Sequence, residues 1–186
     1  MENKTRCAWC EKDDLYRNYH DNEWGKPVYE DETIFEFLIL ETFQAGLSWY
    51  TVLAKRENFR KAFDNFDLMK IANYSEDKMD ALAEDAGIIR NKLKIKATVT
   101  NAQAFIKVQE EFGTFSKYIW GFVDGKPIDN KPKTLSDIKA TTPISDALSK
   151  DLKKRGFKFV GSTVMYAHMQ ATGMVNDHVL DCHTRK

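Results

Sequence analysis

The chain has 186 residues, of which 42% are hydrophobic and 30% charged, and its formal net charge at pH 7 is +0. This length fits one domain spanning residues 1–186, and the apolar content is enough for a real core, which excludes a disordered protein. The neutral charge gives no sign of the basic excess that nucleic-acid-binding domains commonly carry.

No stretch approaches ~20 uninterrupted apolar residues, and the polar start of the chain lacks the apolar region of a signal peptide. We therefore expect a cytoplasmic protein with no membrane partner, and its size and neutral composition suggest a monomer. The three cysteines are an odd number, which argues against a disulfide framework and for thiols kept reduced for metal binding or packing.

Apolar residues recur with helical spacing along almost the whole chain, so the sequence predicts an all-α protein. Polar caps and glycines set the expected ends of each helix. The predicted helices are, in chain order, 33–44, ended by Gly46; 48 to about 63, capped by Ser48; 75 to about 87, capped by Ser75; 91–112, ended by Gly113; 114–122; 145–155, capped by Ser145 and ended by Gly156; and 161–171. A loop-rich segment, 123–143, contains three of the four prolines.

Residues 82–95 place a glycine and two isoleucines between two of these helices. Gly87 permits a tight reversal, and Ile88 and Ile89 can bury the turn. This pattern is typical of a helix–hairpin–helix, in which backbone amides face a DNA phosphate, and Arg90, Lys92 and Lys94 would add positive charge beside them. An ordinary corner between two helices fits the same pattern, and a solvated helix face is a common origin of such a basic run.

Cysteine and histidine residues form one pair near each end of the chain. Cys7 and His20 are spaced C-x12-H, and His178 and Cys182 are spaced H-x3-C. On a helix, positions i and i+4 share a face, so the second pair is expected to present a nitrogen and a thiolate to one ion. Two such pairs would make the closed Cys2His2 tetrahedron of a structural zinc site that joins the chain ends. Chance scatter is the alternative, and Cys10 and His183 are rival ligands.

The first 50 residues are dense in aromatic side chains, namely Trp9, Tyr16, Tyr19, Trp24 and Trp49. Among them, Glu41 interrupts an otherwise apolar helical stretch. It is either a glutamate on the polar face of that helix or a carboxylate at the floor of an aromatic box. Such a box suits a flat cationic ring, whose faces stack on aromatic groups and whose N–H groups donate to a carboxylate. His168 is expected to be a core or pocket-wall histidine.

Six blocks spread over the chain resemble the bacterial 3-methyladenine DNA glycosylase I family of the helix–hairpin–helix glycosylase superfamily. The blocks are RCAWC near the start, YHDNEWG at 19–25, LETFQAGLSW at 40–49, EDAGIIRNKLKI at 84–95, SDALSKDLKKRGFKFVG at 145–161 and GMVNDH at 173–178. The resemblance implies an all-helical fold with a helix–hairpin–helix near 75–96 and one structural Zn²⁺ joining the ends near 7–20 and 178–182.

The resemblance also assigns roles to individual residues. The zinc ligands fall on Cys7, His20, His178 and Cys182. Glu41 and Tyr19 become hydrogen-bonding groups to a damaged adenine and Trp49 its stacking face, with Trp9, Tyr16 and Trp24 around that pocket. The loop 45–47 would enter the duplex, with Leu47 as wedge beside Gly46, and Gly87, Ile88, Arg90 and Lys92 would lie against the DNA backbone.

The implied activity is hydrolysis of the N-glycosidic bond of 3-methyladenine in alkylated double-stranded DNA, which releases the free base and leaves an abasic site. The damaged base is positively charged and already weakly bonded, so positioning and electrostatics suffice once it is flipped out of the stack, with Glu41 ionised as the catalytic group. No lysine suited to a lyase step is recognisable, so a monofunctional enzyme is expected.

Two features depart from the family pattern. Phe43 stands where a smaller or polar residue is expected, which predicts a change at the pocket rim, and His183 stands where a further cysteine is common. The alternatives to a glycosylase are a non-catalytic, zinc-stabilised protein that binds DNA or methylated purines, and a hydrolase that uses metal-bound water. A closed set of four ligands argues against the last.

Overall fold

A computed structural model describes residues 4–185. In this range the chain forms ten α-helices and two short strands. The helices are α1 (Asp14–Asn22), α2 (Asp31–Gln44), α3 (Trp49–Leu53), α4 (Arg56–Ala62), α5 (Leu68–Ala72), α6 (Glu76–Glu84), α7 (Lys92–Phe112), α8 (Phe115–Trp120), α9 (Pro143–Lys154) and α10 (Ser162–Ala171). Strands β1 (Ile128–Asp129) and β2 (Val175–Asn176) pair in parallel, with Ile128 opposite Val175. The mostly helical class is confirmed, and the strand pair is an unpredicted addition to it.

Helix α2 is the central element of the core. Every residue from Phe37 to Phe43 is buried, and α7 and α10 both pack against this helix. Because α2 is buried on all sides from Phe37 to Phe43, this part of the helix has no solvent face on which Glu41 could lie. Glu41 is therefore buried, and the alternative of an exposed polar position is wrong.

Helix caps fix the boundaries of several predicted helices. The side chains of Ser48, Ser75 and Asn91 accept backbone N–H groups at the starts of α3, α6 and α7. Gly113 ends α7 with φ of +87°, a conformation that glycine adopts without strain. These boundaries are confirmed as predicted.

Other predictions of local structure were wrong. The helix expected from Ser48 to about Phe63 is broken at Ala54 and Lys55 into α3 and α4. Helix α9 begins at Pro143 rather than after Ser145, because Thr142 is its N-cap and Ser145 completes a capping box. The short helices α1 and α5 were not predicted at all.

The carboxyl-terminal segment crosses directly over the segment that follows α1. The N–H groups of Gly25 and Val28 donate to the carbonyls of Gln170 and Thr172, each at 3.0 Å. A Cβ atom at Gly173, whose φ is +69°, would overlap the backbone of Lys26 and Pro27. This close approach requires glycine, and it brings the two ends of the chain together. No helix in residues 4–185 is long and apolar enough to cross a membrane.

Candidate functional site

The two predicted Cys/His pairs meet in one buried cluster where the chain ends cross. The potential ligand atoms of Cys7, His20, His178 and Cys182 all lie within 4.8 Å of one another. His178 Nδ1 is 3.7 Å from Cys7 Sγ, 3.6 Å from Cys182 Sγ and 3.2 Å from His20 Nε2, and Cys182 Sγ is 3.5 Å from His20 Nε2. We call these four residues the Cys2His2 cluster.

These separations match those between ligands of a tetrahedral zinc ion. With Zn–S of ~2.3 Å and Zn–N of ~2.05 Å, a tetrahedron places S and N about 3.6 Å apart and two N atoms about 3.4 Å apart. The donor set, its burial and its distances therefore fit a closed structural site. Such a site leaves no position for a reacting water.

Each histidine of the Cys2His2 cluster is oriented by a contact on its far side. His20 Nδ1 lies 2.8 Å from Asp21 Oδ1, and His178 Nε2 lies 3.0 Å from the carbonyl oxygen of Trp24. An acceptor on one ring nitrogen holds the proton there and leaves the other nitrogen free to bind a metal. Burial lowers the pKa of His178 to about 4, which keeps the imidazole neutral, as a ligand must be.

The rival ligands lie outside the Cys2His2 cluster. Cys10 donates its thiol proton to the carbonyl oxygen of Cys7, and His183 Nε2 lies 3.0 Å from Asp21 Oδ1. One premise of the prediction was nevertheless wrong, because residues 178–182 form a turn and not a helix. The turn, closed by the Cys182 N–H donating to Val179, brings the two donor atoms together.

A cavity of about 280 Å³ opens beside α2 and α10. All six predicted pocket residues line it, which are Trp9, Tyr16, Tyr19, Trp24, Glu41 and Trp49. The sequence prediction missed a second set of lining residues, which are Gln44, Leu135, Ile138, Ala167, Gln170 and Ala171. We refer to this cavity as the aromatic pocket.

The aromatic side chains of the pocket support one another. The Tyr19 and Trp49 rings are 5.4 Å apart, and Trp9 packs edge-on against Tyr16 and Trp24 at 4.9 and 5.0 Å. Trp24 in turn packs 4.6 Å from the ring of His178. The Cys2His2 cluster thus lies directly behind one wall of the pocket, which explains how a structural ion would position pocket residues.

Three buried polar side-chain atoms have no hydrogen-bond partner among residues 4–185. Two of them, Glu41 Oε1 and the indole Nε1 of Trp49, belong to residues that line the pocket, and the third is Nε2 of His168. A buried polar group without a partner costs free energy, so each of these atoms needs a partner from outside the chain, either water or a ligand. Here an acceptor and a donor are both available on residues that line the same cavity.

The second oxygen of Glu41 is held by His168. His168 Nδ1 lies 2.6 Å from Glu41 Oε2, and both side chains are almost completely buried. Burial raises the pKa of Glu41, and the neighbouring imidazole opposes this rise. The expectation that His168 is a buried histidine is confirmed, but its contact with Glu41 could not be predicted, because the two residues are 127 positions apart.

Phe43 does not reach the pocket rim, contrary to the prediction. Its side chain is fully buried and packs edge-on against Phe59 at 4.8 Å and Phe63 at 6.0 Å. Successive side chains of an α-helix are rotated by about 100°, so Phe43, two positions after Glu41, points to nearly the opposite side of α2, into the core.

The loop between α2 and α3, residues 45–48, stands at the mouth of the site. Gly46 has φ of +83°, and the Leu47 side chain is 44% exposed. Lys94 of α7 donates its ammonium to the carbonyls of Phe43, at 2.9 Å, and Ala45, at 2.6 Å. The prediction that Lys94 adds charge to a DNA-facing surface is wrong, since it is buried against this loop, and burial lowers its pKa.

The turn between α6 and α7 carries the remaining predicted residues. Arg90 and Lys92 are exposed there, and Ile88 is buried. The N–H of Gly87 donates to Asp85 Oδ1 at 2.7 Å, and the Ile88 N–H faces the Asp85 carbonyl oxygen at 3.3 Å. Neither amide is free to face a phosphate, and the exposed side of the turn is formed by Arg90 and the first turn of α7.

Helices that enclose a deep aromatic pocket with a buried carboxylate define a protein that recognises a flat, polar ring. The sequence matches the Methyladenine glycosylase family over residues 9–186. DNA-3-methyladenine glycosylase 1 of Escherichia coli (strain K12) is 50% identical over 177 residues, which are 95% of each chain. DNA-3-methyladenine glycosylase of Haemophilus influenzae is 47% identical over 178 residues, 96% of each chain.

Solved structures agree with this result. A variant of 3-methyladenine DNA glycosylase I in complex with 3-methyladenine superposes with a TM-score of 0.94, at 37% identity and with 97% of each chain covered. The chain belongs to the methyladenine glycosylase family.

Proposed function

We propose that this protein is a DNA repair glycosylase that hydrolyses the N-glycosidic bond of 3-methyladenine in alkylated DNA and releases the free base. The observation that carries the proposal is the aromatic pocket, which holds a buried carboxylate oxygen and an indole N–H that have no partner within residues 4–185. Family membership and the relatives' names support the same activity. The chain would act as one domain in the bacterial cytoplasm, as a monomer and without a lyase step.

Different pocket residues contact the face and the edge of the base. The ring of Trp49 stacks on the flipped base, and Tyr19 and Glu41 hydrogen-bond to its edge. 3-Methyladenine in DNA is cationic, so an ionised Glu41 favours it over neutral adenine. When the glycosidic bond breaks, the departing base becomes neutral. Glu41 holds the base in position while this bond breaks and does not act as a nucleophile.

The DNA would lie across the mouth of the pocket. Leu47 is exposed at the tip of the loop that follows α2, where it can fill the gap left by the flipped nucleotide. Arg90, Lys92 and the amino-terminal turn of α7 would bind a backbone phosphate, in the manner of a helix–hairpin–helix. Gly46, whose φ is positive, shapes the loop after α2. At Gly87, in the turn before α7, a Cβ atom would come within 2.9 Å of Asp85 Oδ1, and Ile88 supports this turn from the core.

The Cys2His2 cluster would hold one Zn²⁺ as a structural ion. When bound, the ion supplies four bonds that join the chain ends and no chemistry of its own. Its role in activity is to keep Trp24 and its neighbours in the pocket wall.

The test is release of free bases from methylated duplex DNA by the zinc-loaded protein. Wild type should release 3-methyladenine selectively, and both Glu41→Ala and Trp49→Ala should reduce the single-turnover rate by about 10²-fold or more. Glu32→Gln, an exposed glutamate on the same helix, is the matched control and should match wild type. No release by folded, zinc-loaded wild type would refute the proposal and favour a methylpurine-binding protein.

A further inference from the structure

A buried carboxylate–imidazole pair lies beneath the aromatic pocket, between two helices that pack against each other. Glu41 of α2 and His168 of α10 are 1% and 0% exposed, and Oε2 and Nδ1 are separated by 2.6 Å. This is a short, charge-assisted hydrogen bond. An ionised carboxylate can only accept, so Nδ1 carries the proton whenever Glu41 is ionised.

The pair is isolated from other charged groups. The other titratable side chain that faces Glu41 is Tyr19 of α1, whose pKa burial and the Glu41 charge both raise, so it stays neutral. Arg56 and Glu23 lie beyond Tyr19 and bond to each other, with Arg56 Nη2 2.8 Å from Glu23 Oε1. Within the described part of the chain, His168 is therefore the hydrogen-bond donor that balances the Glu41 charge.

The bond also selects which oxygen of Glu41 is available. Oε2 is taken by His168, and Oε1 has no partner among residues 4–185. A carboxylate held at one oxygen cannot turn away from the pocket without breaking a buried hydrogen bond, which would leave a buried charge unpaired.

We infer that His168 is a positioning residue, which fixes Glu41 through Oε2, keeps it ionised and leaves Oε1 to accept a hydrogen bond from the base. The inference rests on the proposed function and deepens it. His168 need not touch the base, since its ring lies behind the carboxylate. Its contribution is to the geometry and the charge of the group that does.

The consequence is a specific dependence on pH. Burial raises the pKa of Glu41, and the charge and hydrogen bond of His168 are the two causes that lower it. Removal of the imidazole leaves burial unopposed, so Glu41 becomes protonated at a higher pH. Protonated Glu41 has no charge to attract a cationic base, and activity should therefore be lost at a higher pH than in wild type.

The experiment compares the single-turnover rate of 3-methyladenine release between pH 5.5 and 9 for zinc-loaded wild type, His168→Phe and His168→Asn. Phenylalanine keeps a planar ring without a donor. Asparagine has an amide N–H donor at the position in the side chain that Nδ1 occupies in histidine. In His168→Phe the acid limb should move up by about one pH unit, with a rate at neutral pH about tenfold lower. His168→Asn, which returns the hydrogen bond but no charge, should recover part of both losses. The zinc ligands are common to all three proteins, so differences between the profiles report the pair.

A merely structural histidine would give a different result. Acid limbs at the same pH in wild type and in His168→Phe would overturn the inference, even with a lowered rate. An effect in His168→Asn as large as that in His168→Phe would also overturn it.

A second measurement does not depend on catalysis. The Glu41 side-chain carboxyl signal, followed by ¹³C NMR against pH, should titrate at higher pH in His168→Phe than in wild type. In wild type itself, the His168 Nδ1–H signal should be protected from exchange and should move on Glu41→Gln. If wild type released no base but these shifts occurred, the glycosylase proposal would fail while the pairing stood. If wild type released base and the shifts were absent, the inference would fail alone.

Discussion

Glu41 is the residue at which stability and function are opposed. A carboxylate whose pKa is raised by burial binds more protons in the folded state than in the unfolded state. The stability of the fold therefore decreases as pH rises through the window between the unfolded and the folded pKa of Glu41. Residues that bind a ligand often lower the free energy of unfolding in this way, and replacing them with a neutral residue often raises it.

Glu41→Gln should accordingly be more stable than wild type at high pH. Its amide oxygen can still accept from His168 Nδ1, and no buried charge remains. We expect a melting temperature higher by ~2–4 °C at a pH above the folded-state pKa of Glu41, on the order of 1 kcal/mol, and a smaller gain as the pH is lowered through that pKa. Thermal unfolding at saturating zinc measures this. A gain that grew toward acid pH would contradict the assigned direction of the pKa shift.

At the scale of elements, Lys94 connects α7 to the loop that follows α2. Its ammonium bonds to the carbonyls of Phe43 and Ala45, between the buried carboxylate helix and the exposed Leu47. Any movement of α7 against DNA phosphate would therefore reach this loop. A buried lysine with two carbonyl partners is a connection that no helix pattern shows.

Lys94→Met should loosen the loop while it preserves the apolar stem of the side chain. We expect kcat/KM for alkylated duplex DNA to fall about tenfold, because two carbonyls lose their donor. Affinity for free 3-methyladenine should change little, since the pocket walls are not altered. Lys96→Met, an exposed lysine on the same helix, is the control. Equal losses in both measurements would show that Lys94 supports the whole fold instead.

Leu47→Ala tests the same loop from its exposed tip. A shorter side chain cannot fill the space of the flipped base, so excision from duplex DNA should fall about tenfold. Release from single-stranded DNA should be unaffected. Met69→Ala removes a 60% exposed apolar side chain from α5 and should not alter either rate. If Leu47→Ala left the rate of excision from duplex DNA unchanged, Leu47 would not act as a wedge.

At the scale of the molecule, the Cys2His2 cluster closes the chain on itself. Its ligands come from two segments that are 158 or more positions apart, and a bond between such distant segments removes much of the freedom of the unfolded chain.

Removal of zinc should therefore lower the stability of the entire fold. We expect a zinc content of one ion per chain, and a melting temperature lower by ~10 °C or more after chelation or in Cys182→Ser, since a structural ion contributes several kcal/mol. Cys10→Ser, which keeps a donor for the Cys7 carbonyl and removes no ligand of the Cys2His2 cluster, should keep both zinc and stability. Metal content by mass spectrometry and unfolding by circular dichroism decide the matter. Full stability without metal would assign the cluster to packing alone.

The sequence by itself determined the helical class, several helix ends, six of the residues that line the pocket and the four residues of the Cys2His2 cluster. It did so because caps, glycines and apolar spacing act locally, and because the ligand types have few other uses in such motifs. It could not decide which way Glu41 points, since the residues on either side of Glu41 in α2 are mostly apolar and form no amphipathic pattern that would orient it.

Only the tertiary structure decided which distant groups meet. The pairing of Glu41 with His168, the burial of Lys94 against the Phe43 and Ala45 carbonyls, and the Gln170 and Leu135 walls all arise from the packing of elements far apart in sequence. The H-x3-C ligands likewise converge through a turn rather than the helix that their spacing suggested. Contacts between elements depend on how their whole faces pack. The spacing of residues along one segment does not show which other segment it will pack against.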